Sequence, residues 1–164
     1  MIVVADASPL IFLAKIRRLA LVPAVLGSDI RVPRAVREEV LTPRTDSAEA
    51  DVLADFLAIC RVENVTNVRR FASAMSAADN EALTLAVRRR ADILLCDDRI
   101  VRLMAETEGV QPLGTLGLLL RAMRQTRLTP AETRKAVDAL VRSHGFRIDT
   151  ALYLAVVRTI EGRD

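Results

Sequence analysis

Aromatic side chains are scarce in this chain of 164 residues: four phenylalanines, at 12, 56, 71 and 146, and one tyrosine, at 153. So thin a supply argues against a stacking platform for single-stranded nucleic acid, and any such partner must be held through its backbone. Two cysteines, Cys60 and Cys96, make neither a disulfide framework nor a CxxC pair. That usage points to a reducing cytoplasm and away from thiolate metal sites. No stretch approaches the roughly 20 apolar residues of a membrane span. The N-terminus also lacks the basic start and small-residue cleavage site of a signal peptide. Lysine stands only at 15 and 135, so arginine supplies 22 of the 24 basic residues. Arginine forks suit phosphate oxygens, although the coding bias of a GC-rich genome yields the same composition. The single histidine, His144, lies beside an expected helix end and reads as a C-terminal cap rather than a general base. Net charge is a modest +3, and 51% of the residues are hydrophobic. This length suits one α/β domain with a proper core.

What the chain does contain is a repeated arrangement. An apolar run, Ile2-Val3-Val4-Ala5, ends in Asp6, and a second, Ile93-Leu94-Leu95-Cys96, ends in Asp97-Asp98. Short unbroken apolar runs read as strands buried on both faces, as in a parallel sheet covered by helices. Ligands of such sheets bind beyond the carboxyl ends of the strands. Two strand ends that deliver carboxylates to the same edge therefore predict a polyanionic pocket that a divalent cation would hold together.

The remaining pattern alternates. Ser8-Pro9 reads as an N-cap followed by proline, opening a helix to about Leu19. A short strand near Ile30–Val32 precedes Pro33 and a helix to about Leu41. A polar turn over Thr42–Ser47 leads to a helix over about 47–59, and 60–65 suits an edge strand. Ser76-Ala77-Ala78-Asp79 resembles a capping box before a helix reaching Arg90. Strand 92–96, a helix over about 99–108 and a strand near 110–112 complete the alternation. Right-handed crossovers then imply a three-layer α/β/α sandwich with a central parallel sheet. From Thr115 the signal is purely helical, over about 115–126, 130–143 and 149–161. The expectation is one domain over 1–164, with an α/β core at 1–112 and a helical extension at 113–164.

Carboxylates at separated points could share the pocket. Asp6, at the end of a central strand, needs partners because an uncompensated buried carboxylate costs several kcal/mol. Ser8, two residues on, either supports it or caps the helix. Glu39 lies about 60° from Val36 around its helix, whereas Glu38 lies about 160° away and faces solvent. Between Asp79 and Glu81 periodicity does not decide: Asp79 projects inside the apolar arc, but it also fits the third helical position, where an acid favours the helix N-terminus. Of Asp97 and Asp98, one is expected to cap the next helix. Arg102, four residues after Asp98, could neutralise the acids or hold a phosphate. Oxygen ligands with no nearby histidine or cysteine select Mg²⁺ or Mn²⁺ rather than Zn²⁺. Such a metal on few carboxylates keeps waters and serves phosphodiester hydrolysis.

The sequence of motifs Val3-Val4-Ala5-Asp6-Ala7-Ser8-Pro9, Val32-Pro33-x-x-Val36-x-x-Glu39, Glu81-Ala82-x-x-Leu85-Ala86 and Leu94-Leu95-Cys96-Asp97-Asp98-x-x-x-Arg102 resembles PIN domains. The likeness is nearest to a branch that continues Gly114-Thr115-Leu116-Gly117 and ends in a helical extension, and it runs over essentially the whole chain. It implies a Mg²⁺-dependent endoribonuclease, often the toxin of a VapBC-type toxin–antitoxin pair, with an RNA substrate, a cognate antitoxin and a homodimeric assembly. Position by position it assigns the acidic quartet to Asp6, Glu39, Glu81 and Asp98, with Asp97 beside them as a further metal-site acid. Ser8 and Arg102 fall at the substrate. Asn80 departs from the glycine usual before the third acid.

Two other classes compete. A haloacid-dehalogenase-type phosphotransferase needs a second acid at position 8, where serine stands, and a receiver needs a late lysine after a strand, which Lys135 is not. A catalytically silent binding module, in which the acids are helix caps, is the more serious alternative. The runs Arg69-Arg70 and Arg88-Arg89-Arg90 are either solvated helix ends or holders of RNA phosphates.

Overall fold

The computed structural model describes residues 1–42 and 47–163. Among them five strands form one parallel sheet: β1 (Ile2–Ala5), β2 (Asp29–Pro33), β3 (Arg61–Glu63), β4 (Ile93–Leu95) and β5 (Gln111–Leu113), in the order β3-β2-β1-β4-β5. The helices are α1 (Ala7–Lys15), α2 (Leu21–Leu26), α3 (Arg34–Val40), α4 (Ser47–Ile59), α5 (Ala77–Arg89), α6 (Arg99–Thr107), α7 (Thr115–Arg124), α8 (Pro130–Ser143) and α9 (Thr150–Glu161). β1 and β4 are neighbours at the centre, and Val3, Val4, Ala5, Leu94 and Leu95 are wholly buried. Burial on both faces is why these strands read as continuous apolar runs rather than alternating ones.

Strand order reverses at β1, with β2 and β3 to one side and β4 and β5 to the other. Right-handed crossovers therefore place α1 and α4 on one face and α5 and α6 on the opposite one. The packing agrees: α1 lies against α4 and α7, whereas α5 lies against α6 and the β1–β2 strands. This is the three-layer α/β/α sandwich expected from the sequence. The helices after β5 stack on α1 and α2 through α7, and Leu118, Leu119, Val137, Leu140 and Ile160 join the same apolar cluster as β1. Among the described residues no helix is long and apolar enough to cross a membrane.

Three local features differ from the sequence expectation. The first helix has Asp6 rather than Ser8 at its N-cap position, and Pro9 sits third in it rather than first. It stops at Lys15, not near Leu19, because Arg17 takes φ 55° and closes the end. Its N–H donates to the Ala14 carbonyl and that of Arg18 to Leu13, the paired bonds of a Schellman motif. The chain then forms α2, which the sequence reading left unassigned. Four of its residues are buried, and Pro23 stands in the first turn, where no N–H is required. The polar turn expected over 42–47 falls largely at residues 43–46, outside the described residues.

Candidate active site

The reversal of strand order opens a crevice at the carboxyl ends of β1 and β4, the usual ligand position in an open parallel sheet. A cavity of about 450 Å³ occupies it, lined by Asp6, Ser8, Phe12, Glu39, Asp79, Asp97, Asp98, Phe146 and Arg147 among others. Carboxylates from β1, α3, α5 and the β4–α6 turn therefore meet in one bowl. None of the ion pairs among the described residues involves any of these five acids.

Asp6 is the deepest of them, only 3% exposed. Its N–H donates to the Leu95 carbonyl at 2.9 Å, which carries the sheet register one residue past the strand. Although it occupies the N-cap of α1, its side chain makes no cap bond of the usual kind. Burial, then the charge of Asp79, push its pKa up to about 7; the Ala7 amide pulls it down, by more than the charge of Glu39 adds. A hydrogen bond between the Asp6 and Asp79 carboxyls adds to the rise. A buried acid that faces two further acids and has no ion pair among the described residues marks a site short of positive charge.

Asp79 reaches that position from the first turn of α5, where it also completes a capping box. Its Oδ2 accepts from the Ser76 amide at 2.7 Å, and the Ser76 hydroxyl accepts from the Asp79 amide at 3.1 Å. The adjacent Asn80 is buried and fully used: it accepts from the Phe71 amide and donates to the Met75 and Ser76 carbonyls. Glycine there could not pin the preceding loop. Glu81 does not line the bowl. Its carboxylate accepts from the Ala35 amide at 3.2 Å and so caps α3 from across the helix pair. Between the two acids that periodicity left undecided, the structure brings Asp79 to Asp6.

The pair after β4 divides its labour. Asp98 is exposed and caps α6, one oxygen accepting from the Ile100 and Val101 amides at 2.8 and 3.1 Å. Asp97 turns inward, where Thr115 supplies two donors, its amide at 2.7 Å and its hydroxyl at 2.6 Å. Ser8 donates to the same carboxylate at 3.5 Å rather than capping or supporting Asp6. Burial raises the Asp97 pKa, opposed by the two Thr115 bonds, the Arg102 charge and Ser8. Arg102 makes no ion pair with Asp98 among the described residues; its guanidinium lies over Gly114, beside Asp97. A Cβ on Gly114 would come within 3.0 Å of Asp97 Oδ1 and 3.1 Å of Arg102 Nη1, so a side chain there would crowd both groups. Glu39, on the last turn of α3, lines the bowl, while Glu38 pairs with Arg34 at 2.8 Å on the solvent side.

Arg147, Phe146 and Thr115 belong to the site and were missed in the sequence. The first two come from the turn between α8 and α9, about 50 residues beyond the last acid, and no local signal marks them. Gly114-Thr115 does carry a signal, a helix start directly after a strand. Three arginines of the two runs are engaged elsewhere. Arg69 forks onto Glu108 and stacks on Phe71, Arg88 donates to the Thr66 and Asn67 carbonyls, and Arg89 pairs with Glu63. His144 caps α8, as expected. Burial pushes both thiols up, Cys60 to about 11, so neither offers a ready thiolate.

Among the described residues no three His, Cys, Asp or Glu side chains stand close enough to enclose a metal ion by themselves. The donor chemistry nevertheless fits a hard divalent cation. Mg²⁺ is held by one or two carboxylates and keeps several waters. The Asp6–Asp79 pair supplies that minimum, and Glu39, Asp97 and Asp98 line the same cavity. A family model described as a PIN domain matches residues 2–162. No curated protein and no solved structure matches the chain.

Proposed function

The chain belongs to the PIN domain family, and from that premise we propose that it is a Mg²⁺- or Mn²⁺-dependent endoribonuclease. PIN domains are in general nucleases. The observation that supports the reading here is Asp6: a buried carboxyl, raised to about 7 by burial and two acidic neighbours, at the strand-order reversal of the sheet. A structural cap would be better served by a satisfied or exposed acid, as Asp98 demonstrates in the same bowl.

Asp6 and Asp79 would hold the ion directly, Asp6 giving up its proton. Glu39 and Asp98 would orient its waters from the rim, and Asp97 would remain the fixed inner wall through Thr115. A divalent cation bound there supplies the charge that polarises a phosphate and acidifies a water. Arg147 stands at the mouth, and Arg102 lines an adjoining hollow of about 280 Å³ that shares Asp97, Phe146 and Arg147 with the bowl. Both guanidiniums can meet the non-bridging oxygens of a phosphodiester. Water is the nucleophile, so no side-chain nucleophile is required.

Melting curves with and without millimolar Mg²⁺ or Mn²⁺ test the metal, since a ligand of the folded state alone raises the midpoint. The expected result is a clear upward shift that Asp6→Asn removes, together with metal-dependent cleavage of RNA that the same variant abolishes. An unshifted midpoint in both metals would favour a silent assembly module instead. We carry the toxin role and a homodimer as parts of the same proposal. A small DNA-binding protein encoded in the adjacent reading frame would support the former, and sedimentation at twice the chain mass the latter.

A further inference from the structure

A second cavity, of about 430 Å³, lies where α1 ends and α8 passes over it, and its charge is the reverse of the acid bowl. Lys15, Arg17, Arg18 and Lys135 line it together with His144, and Glu132 is the one acid among its lining residues. Glu132 is already engaged, by Arg18 at 3.7 Å and by its own capping box with Thr129. Lys15, Arg17 and Lys135 have no ion pair among the described residues. Composition makes this gathering stand out. The chain has only two lysines and one histidine, and all three line this cavity. Cations of like sign set around a hollow repel one another unless an anion sits between them.

The two cavities are lined by the same two segments of the chain. Along α1, Ser8 and Phe12 line the acid bowl, and Lys15 lines the cationic cavity. Spacings of four and then three place them on one face of the helix, about 10 Å from end to end. The opposite wall is equally continuous: Lys135 and His144 line the cationic cavity, and Phe146 and Arg147, directly after, line the bowl. Phe12 and Phe146 meet edge to face between the two walls, with ring centres 4.9 Å apart. A strand laid along these two segments from the acid bowl would pass next over Lys15 and Lys135.

We propose that the cavity lined by Lys15, Arg17, Lys135 and His144 is a phosphate-binding subsite that holds the RNA backbone beside the cleavage position. The assignment rests on the reading of the acid bowl as an RNA-cleaving site. It accounts for how a polyanion approaches five carboxylates: the flanking phosphates are held by cations a short distance away while the bowl itself is served by metal. With almost no aromatic stacking available, affinity for the strand comes from such backbone contacts, so it is insensitive to sequence and sensitive to salt.

The test uses the full chain in chelator, so that binding is read without cleavage. The pocket pair is Arg17→Gly with Lys135→Ala. Arg17 has φ 55°, which suits glycine, and Lys135 is exposed on a helix, which suits alanine, so both changes respect the fold. A matched control pair, Arg90→Gly with Arg124→Ala, removes the same charge at the same kinds of backbone position elsewhere. Binding of a single-stranded RNA is measured against salt concentration. The expected result is that the pocket pair lowers the slope of log affinity on log salt by roughly 1 to 1.5, the loss of two single-strand phosphate contacts, while the control pair lowers it less. In wild type, a longer strand should bind more tightly than a dinucleotide, and the pocket pair should erase most of that gain. A slope that the pocket pair reduces no more than the control overturns the subsite. Equal binding of the dinucleotide and the longer strand also overturns it, marking a pocket for small free anions. Wild-type protein that binds with the expected slope yet cleaves no RNA in any metal leaves the subsite standing and sinks the nuclease reading alone.

Discussion

The ends of β1 and β4 carry the same residue type at the same edge of the sheet and are treated in opposite ways. Asp97, after β4, receives two donors from Thr115 and a third from Ser8. Asp6, after β1, faces the acids Asp79 and Glu39 and sits 3% exposed. One carboxylate is finished by the protein, whereas the other is left short of positive charge. The difference teaches that burial alone does not mark a functional acid; what its oxygens are left facing does.

The contrast is broken most sharply by neutralising Asp6. Its pKa is about 7 in the folded protein against 3.8 unfolded. Between those values the unfolded chain releases a proton that the folded one keeps, so metal-free stability falls as pH rises from about 4 to about 7. The whole penalty is on the order of 4 kcal/mol. Asp6→Asn should therefore match wild type below pH 4 and melt higher by roughly 5 °C or more at pH 8 without metal. Thermal melts across that range check it, and a wild-type slope retained in the variant would break the contrast.

Thr115→Val strikes the satisfied carboxylate and should move stability the other way. Loss of one hydroxyl donor to a buried acid costs roughly 1–2 kcal/mol, and Thr115→Ser should restore it. Chemical denaturation of the two variants compares the effects directly.

The smallest expected effect separates Asp79 from Glu81. Asp79→Asn should abolish most of the metal-induced rise in melting temperature. Glu81→Gln should preserve that rise and weaken only the cap of α3, by roughly 0.5–1 kcal/mol. The reverse pattern would return the third acid to Glu81.

Strands that end in aspartates were legible because a central parallel strand has no polar face to interrupt its apolar run, and that pattern carried the sheet and the place of the bowl. The helix start at Ser76 was legible from its capping box, which is local. Legibility failed where the deciding partner was distant. Ser8 fits an N-cap by sequence, yet its hydroxyl is drawn to Asp97, 89 positions away. Asp79 and Glu81 both sit near the apolar side of α5, and only the approach of β1 to one and α3 to the other tells them apart. The short α2 escaped because proline among apolar residues reads as a break, although in a first turn it is harmless.

The turn that contributes Phe146 and Arg147 has a consequence for how this scaffold diversifies. The acids stand at strand ends and on α3 and α5, whereas this wall of their enclosure is a loop joining two late helices. Substitutions confined to that loop would reshape the cavity's lining and leave every acid in its place.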